Sequence, residues 1–276
     1  MARGISLNIG VNRVDPRHYG KIDVLQGCVL DALDMALIAL SEGFATHWPL
    51  WNERATRDAV TTAIKRAAGQ LHRGDFFLLT FSGHGGTVPD TNHDESREND
   101  QTWLLYDCQL IDDELHELLA LFDEGVRVLV LSDSCYSGSV LSLTQRARRL
   151  FVRENDLPAV RALLPHVARR VYLRNRACYD QVQLDHPLGR AATVNASVLL
   201  LSACEDNETA DDGPRNGRFT AALRRVWNNG AFRDSYVKFH EEIYSIVVTQ
   251  NELQRPDRRT EGVVSAAFEL QRPFTI

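Results

Sequence analysis

Residues 75–83 read DFFLLTFSG, a nearly continuous apolar run. A strand with water on one side alternates apolar and polar residues. This one does not, so it is predicted to be a strand covered on both faces. The pattern returns at VRVLVLSDS (126–134) and SVLLLSACED (197–206), and in shorter form at ISLNIG (5–10). Between these runs lie segments with apolar residues at helical spacing. They are VLDALDMALIALSEGF (29–44), closed by Gly43 as a C-cap, and RATRDAVTTAIKRAAGQL (54–71), with Thr56 as its cap. Further helices are expected at 112–122, 219–230 and 235–251, and GVVSAAFELQ (262–271) closes the chain with a strand pattern. Strands alternating with helices imply an α/β fold: a mostly parallel central sheet flanked by helices on both faces. In such sheets, active sites gather beyond the C-terminal strand ends.

The 276 residues, 44% of them hydrophobic, suit one compact domain or two small ones. A net charge of −6 gives no nucleic-acid footprint, and no apolar run reaches the length of a membrane span. The first residues, MARGISLNIGVN, contain no long apolar signal core. A cytoplasmic protein without a long prodomain, monomeric or weakly dimeric, is therefore expected. Five cysteines, an odd number with no CxxC pair, argue against a disulfide framework or a zinc cluster. Charge is uneven: residues 90–124 hold twelve acids against one arginine, and residues 142–176 hold nine arginines against two acids. The arginine-rich stretch, broken by Pro158, Pro165 and Pro187, is expected to be an irregular linker or insertion over 142–196 with some short helix. It divides the domain into parts 1–141 and 197–276.

Two reactive side chains sit among small residues just past predicted buried strands: His84 in FSGHGG (81–86) and Cys135 in SDSCYSG (132–138). A cysteine nucleophile needs a nearby base, and a histidine moves protons near neutral pH. Either residue alone is unremarkable. Together, 51 residues apart at two strand ends, they read as one thiol-catalytic site. The backbone N–H groups of Gly85 and Cys135 are the natural donors to a developing oxyanion. No third side chain stands out, so a backbone carbonyl is the expected orienting partner of the imidazole. Neither a GxSxG elbow nor a phosphate-binding glycine loop is present.

FSGHGG and LSDSCYSG resemble the histidine and cysteine motifs of caspase-like cysteine peptidases, and most closely those of the metacaspase and orthocaspase branch. LQGCVLDALDM (25–35), LIDDEL (110–115), SACEDNETA (202–210) and GRFTAAL (217–223) resemble further segments of that branch, in the same order. The resemblance implies a caspase-hemoglobinase fold, with His84 as general base and acid and Cys135 as nucleophile. Asp133, two residues before the cysteine, is the feature that marks the metacaspase side. The resemblance places Asp31 and Asp133 in the S1 pocket with Ser82 lining it, and Asp206 as a further wall candidate. Carboxylates there attract a guanidinium and repel an aspartate, so hydrolysis after arginine, and less well after lysine, is expected.

Calcium activates many relatives, and the resemblance implies Asp100, Asp112 and Asp113 as its ligands. A fourth family aspartate falls at Ser142. No cofactor is needed for the chemistry itself. An enzyme cutting after arginine could process its own basic segment, with Arg146, Arg148, Arg149 and Arg153 as first candidates and Arg169, Arg170, Arg174 and Arg176 following. The competing reading is a catalytically inactive caspase-like scaffold or regulatory binding module, in which the dyad is out of reach or the S1 pocket is filled.

Overall fold

The structure, a computed structural model, describes residues 2–46, 49–92, 98–135, 159–205, 208 and 210–276. Its strands are β1 (Gly4–Gly10), β2 (Ala45–Thr46), β3 (Leu50–Trp51), β4 (Phe76–Ser82), β5 (Gly85–Pro89), β6 (Asn99–Leu104), β7 (Gln109–Ile111), β8 (Arg127–Asp133), β9 (Ser197–Ser202) and β10 (Asp257–Gly262). Its helices are α1 (Pro16–Tyr19), α2 (Cys28–Ser41), α3 (Arg57–Ala68), α4 (Asp112–Leu119), α5 (Pro165–Arg174), α6 (Arg176–Asp185), α7 (Arg218–Trp227), α8 (Tyr236–Gln250) and α9 (Ala266–Leu270). The central sheet has the order β10-β9-β8-β4-β1-β2, with β3 sharing the outer edge of β1. Every described pairing in it is parallel except β10 with β9.

The apolar runs are two-sided, as buried parallel strands require. Along β4, Phe77, Leu79 and Phe81 point into a core with Val60 and Ile64 of α3 and Leu118 and Leu119 of α4. Phe76 and Leu78 point the other way, onto Met35 of α2, Phe219 and Leu223 of α7 and Phe239 and Ile243 of α8. Fully burying each such side chain contributes about 1.5–3 kcal/mol, so this strand anchors both layers. Caps set the helix limits. The Thr56 hydroxyl accepts from Ala59 N–H at 3.2 Å, and the Ser235 hydroxyl accepts from Lys238 N–H at 3.3 Å. Gly43 follows α2 with φ +87°, where a side chain would be strained.

Three expectations change. The small antiparallel sheet β5-β6-β7 carries no strand signal that the apolar pattern would detect: β5 is GGTVP and β6 opens on Asn and Asp. It packs on α5 and α6 through Val88, Leu104, Ile111, Val171 and Tyr179. Those two ten-residue helices occupy a stretch expected to be largely irregular. Pro165 starts α5, since a first-turn residue needs no backbone N–H. Finally, the closing strand lies at Asp257–Gly262, and most of 262–271 is a turn and α9. Its sequence has a strand-like apolar content, but Ser265 caps a helix by accepting from Phe268 N–H at 3.3 Å. That turn drops Phe268 into the core against Phe76 and Tyr236. Among the described residues no helix is long and apolar enough to cross a membrane.

Phe268, 2% exposed, therefore links α9 to the central sheet. Phe268→Ala is expected to cost about 3–5 kcal/mol in urea unfolding. A loss below about 1 kcal/mol would show that α9 is not part of the core.

Candidate active site

Strands β4 and β8 run in parallel with Ser82 opposite Asp133. His84 lies two residues beyond Ser82, and Cys135 lies two beyond Asp133, so both leave the sheet from one rung. The turn after β4 is tight. A Cβ on Gly83 would come within 2.7 Å of the Phe81 ring. The Nε2–H of His84 donates to the Asp23 carbonyl at 2.9 Å. A carbonyl can only accept, so this bond fixes the tautomer and leaves Nδ1 as the basic nitrogen. Nδ1 is buried and has no hydrogen-bond partner among the described residues. Burial lowers the His84 pKa below the ordinary histidine value, which keeps the ring neutral at pH 7.

Cys135 is fully buried and its thiol donates to the Glu208 carbonyl. Cys204 lies beside it, 3.7 Å from the Ser134 carbonyl and 3.8 Å from that of Glu208. Contact with Cys135, and then burial, hold the Cys204 thiol well above the usual range. Burial does the same to Cys28, so neither is an activated thiol.

Behind the rung is an acidic pocket. Asp31 accepts from the Ser82 hydroxyl at 2.7 Å and from Asn216 Nδ2 at 2.8 Å. Asp133 accepts from the Thr220 hydroxyl at 2.7 Å and its N–H at 3.0 Å. A third carboxylate, Asp212, accepts from the backbone N–H of Gln26 at 2.6 Å and of Gly27 at 3.2 Å. All three are no more than 5% exposed. Burial pushes the Asp133 carboxyl up, against the opposing pull of Arg161.

The pocket is filled by the chain itself. Arg161, 0% exposed, pairs with Asp31 at 2.8 Å, Asp133 at 3.0 Å and Asp212 at 2.8 Å, and donates to the Ser82 hydroxyl at 2.7 Å. Burial opposes its charge, but the surrounding carboxylates outweigh that and hold its pKa well above the ordinary value. Gly217 forms a wall: a Cβ there would lie 2.4 Å from Arg161 Nη1. The Arg161 carbonyl accepts from the N–H groups of Gly85 at 2.9 Å and Cys135 at 3.2 Å.

Asp31, Asp133, Ser82, Gly85 and Cys135 thus meet around one arginine. The structure adds Asp212, Gly217, the Asp23 carbonyl and Arg161 itself. Asp212 lies in the segment TADDGPRNG, where sequence offered two adjacent acids, Asp211 and Asp212, and no way to rank them. Asp206 and Arg146, Arg148, Arg149 and Arg153 lie outside the described residues. Arg169, Arg170 and Arg174 are within α5, and Arg176 begins α6.

Asp100, Asp112 and Asp113 each offer a carboxylate oxygen, and these oxygens lie within 4.8 Å of one another. Asp112 is also paired with Arg190 at 2.9 Å, and Asp113 accepts from Asn92 at 2.8 Å. Clustered carboxylate oxygens, two of the three residues being buried, suit a hard divalent cation.

Residues 6–144, about half of the chain, match the family described as metacaspase, peptidase C14 domain. Metacaspase-1 of Scheffersomyces stipitis is 26% identical over 258 residues, covering 79% of this chain and 60% of that protein. Metacaspase-1 of Schizosaccharomyces pombe is 26% identical over 249 residues, covering 79% and 57%. The chain thus spans about 60% of the length of these curated relatives. A solved protein from Geobacter sulfurreducens shares 45% identity, with a TM-score of 0.88 over 99% of both chains. Caspase-1 from Spodoptera frugiperda, at 11% identity and a TM-score of 0.53 over 96% of this chain and 88% of that one, shares the fold. On this family match, with the caspase-like architecture around it, the chain belongs to the metacaspase family of peptidase C14 domains.

Proposed function

We propose that this chain is a cysteine endopeptidase that hydrolyses peptide bonds after arginine, and less well after lysine, through His84 and Cys135. One observation carries the reading. An arginine side chain sits among three carboxylates while its own carbonyl accepts from the N–H groups of Gly85 and Cys135. A guanidinium can bridge several carboxylates at once, whereas an ammonium is a single point charge, hence the preference for arginine.

The chemistry follows from these placements. Substrate arginine enters between Asp31, Asp133 and Asp212, and its carbonyl meets the two N–H donors. The Cys135 sulfur adds to the carbonyl carbon, and the backbone donors hold the oxyanion. His84 Nδ1 takes the thiol proton and returns it to the leaving amine, while Nε2–H stays on the Asp23 carbonyl. Water, deprotonated by His84, then hydrolyses the thioester. A buried basic nitrogen without a partner costs about 1–3 kcal/mol to maintain, which favours a chemical role over a packing role.

Asp100, Asp112 and Asp113 would hold a calcium ion, which would neutralise clustered carboxylates where β6 and α4 meet. The β6 strand pairs with β5, which begins at Gly85, so order there reaches an oxyanion donor.

The scaffold reading is favoured by one observation, the filled pocket. It predicts a permanently closed site, whereas a peptidase must release Arg161. Assay of peptides ending in Arg, Lys, Asn or Asp before the reporter group separates the two. Arginyl turnover is expected, with Cys135→Ala silent and Asp31→Ala, Asp133→Ala and Asp212→Asn each reduced at least tenfold in kcat/KM. Undiminished turnover in Cys135→Ala, or full retention in all three pocket variants, would sink the proposal.

The pH profile tests the dyad separately. The pKa of His84 is lowered by burial, so its neutral form persists as pH falls to 6.5, the ordinary histidine value. The acid limb of kcat is therefore expected below pH 6.5, and a limb above it would contradict the role given to His84.

For calcium, the expected result is a rise in Tm and in arginyl turnover on titration, reversed by a chelator and lost in Asp113→Asn. Binding at 100 times Kd stabilises by about 2.7 kcal/mol. No change in either readout would remove calcium from the account.

A further inference from the structure

We infer that Cys108 and Cys178 form a redox modification site: hydrogen peroxide enters through Cys178 and leaves the pair joined as a disulfide that a dithiol reopens. The inference goes beyond the peptidase reading and does not need it. The two sulfur atoms stand 3.8 Å apart, in van der Waals contact, although the residues are 70 positions apart in the chain. Of the five cysteines, Cys28, Cys108, Cys135 and Cys204 are buried and Cys178 is exposed. An oxidant in solution therefore meets Cys178 first, and the Cys108 sulfur lies directly against it. Burial, and then the neighbouring Cys178, pushes the Cys108 thiol up to about 12. At neutral pH it is protonated, so it acts second.

Each sulfur is carried by a well-anchored element. Cys108 is in the turn between β6 and β7. Around it, the Tyr19 hydroxyl donates to the Leu105 carbonyl at 2.9 Å, Tyr106 N–H donates to the Ala55 carbonyl at 2.8 Å, and Asp107 accepts from Arg57 N–H at 2.8 Å. Cys178 stands in the first turn of α6. Next to it, Tyr179 is buried and its hydroxyl is hydrogen-bonded to His18. Farther along the helix, Gln183 Nε2 donates to the Pro89 carbonyl at 3.0 Å. These anchors keep the two thiols facing each other. Closing the gap to a bond of about 2.05 Å is a movement that rotation about the Cα–Cβ bonds supplies.

The step balances with peroxide as the oxidant. The Cys178 sulfur attacks one peroxide oxygen and the O–O bond breaks. The departing hydroxide takes the thiol proton and leaves as water, and Cys178 becomes a sulfenic acid. The Cys108 sulfur then attacks the Cys178 sulfur and the S–O bond breaks. That hydroxide takes the Cys108 proton as a second water. Each sulfur has lost one electron, and the two peroxide oxygens have gained them. A dithiol reverses the bond by exchange. The disulfide ties α6 to the small sheet, which opens at Gly85 and carries Asp100. Cross-linking residues so distant in sequence restricts the unfolded chain and stabilises the fold.

The test uses the full chain with Cys135→Ala, which removes the dyad thiol from the reaction. Reduced protein is treated with hydrogen peroxide, blocked with iodoacetamide, and read by intact mass and by mapping of unreduced peptides. The expected product is lighter by about 2 Da and yields one cross-linked peptide pair, holding Cys108 and Cys178. It should form at a rate independent of protein concentration, raise Tm by about 5 °C or more, and revert with dithiothreitol. Cys108→Ser should stop at a sulfenic acid on Cys178 that dimedone traps, and Cys178→Ser should leave Cys108 reduced. Both replacements are close to isosteric, so folding is retained. Oxidation of Cys178 to the sulfinic acid with Cys108 still reduced would overturn the inference. A disulfide between other cysteines, or between two molecules, would do the same. A Tm that does not rise on oxidation would show that the bond distorts the fold, and overturns it too.

Discussion

The parallel pairing of β4 with β8 is the constraint on which the site depends. Its register places Ser82 opposite Asp133, and everything chemical follows within two residues of that rung. Parallel register is strongly specified when both faces of both strands are buried, because a slip of one residue would turn every side chain to the wrong core. For β4 that would exchange the environments of Phe76 and Leu78 with those of Phe77, Leu79 and Phe81. Packing far from the dyad thus fixes where the dyad stands. The same rung orients Ser82 and Asp133 toward the pocket, so the thiol, the imidazole and the acidic pocket share one mechanical origin.

Electrostatics explain the rest of the pocket. Buried carboxylates in such proximity repel one another and lose hydration, a cost only a cation in good geometry offsets. Arg161 supplies it, and backbone, amide and hydroxyl donors satisfy the remaining oxygens: Gln26 and Gly27 for Asp212, Thr220 for Asp133, Asn216 and Ser82 for Asp31. Gly217 lets the wall close on the flat guanidinium, and a methyl group there would occupy its place. The charges that would draw a guanidinium are the same ones that make the pocket costly to leave empty.

Much of this was legible in the sequence, and the exceptions have physical causes. The two-sided strands were legible because burial on both faces removes polar residues from a run. His84 and Cys135 stood out because they follow those runs among small residues, whereas Ser82 and Asp133 were singled out only by the family resemblance. The β5-β7 sheet was not, since Gly85, Gly86, Asn99 and Asp100 belong to strands whose pairing, and not their side chains, defines them. The helix at 266–270 was missed because Phe268 decides it through contacts with Phe76 and Tyr236, which are remote in sequence. Asp212 and Arg161 were missed for a related reason. Asp212 is one of two adjacent acids and Arg161 one of nine arginines in 142–176, and only long-range pairing singles each out.

The resident arginine and an incoming one would use the same oxygens and the same backbone donors. Contacts alone therefore give the substrate no advantage over Arg161. What differs is molarity: a residue tethered in the same chain competes at an effective concentration of about millimolar or more. A peptide at ordinary concentration would lose that contest. The carboxylates that would select an incoming arginine are thus the ones that hold Arg161, and the tether decides which of the two they carry.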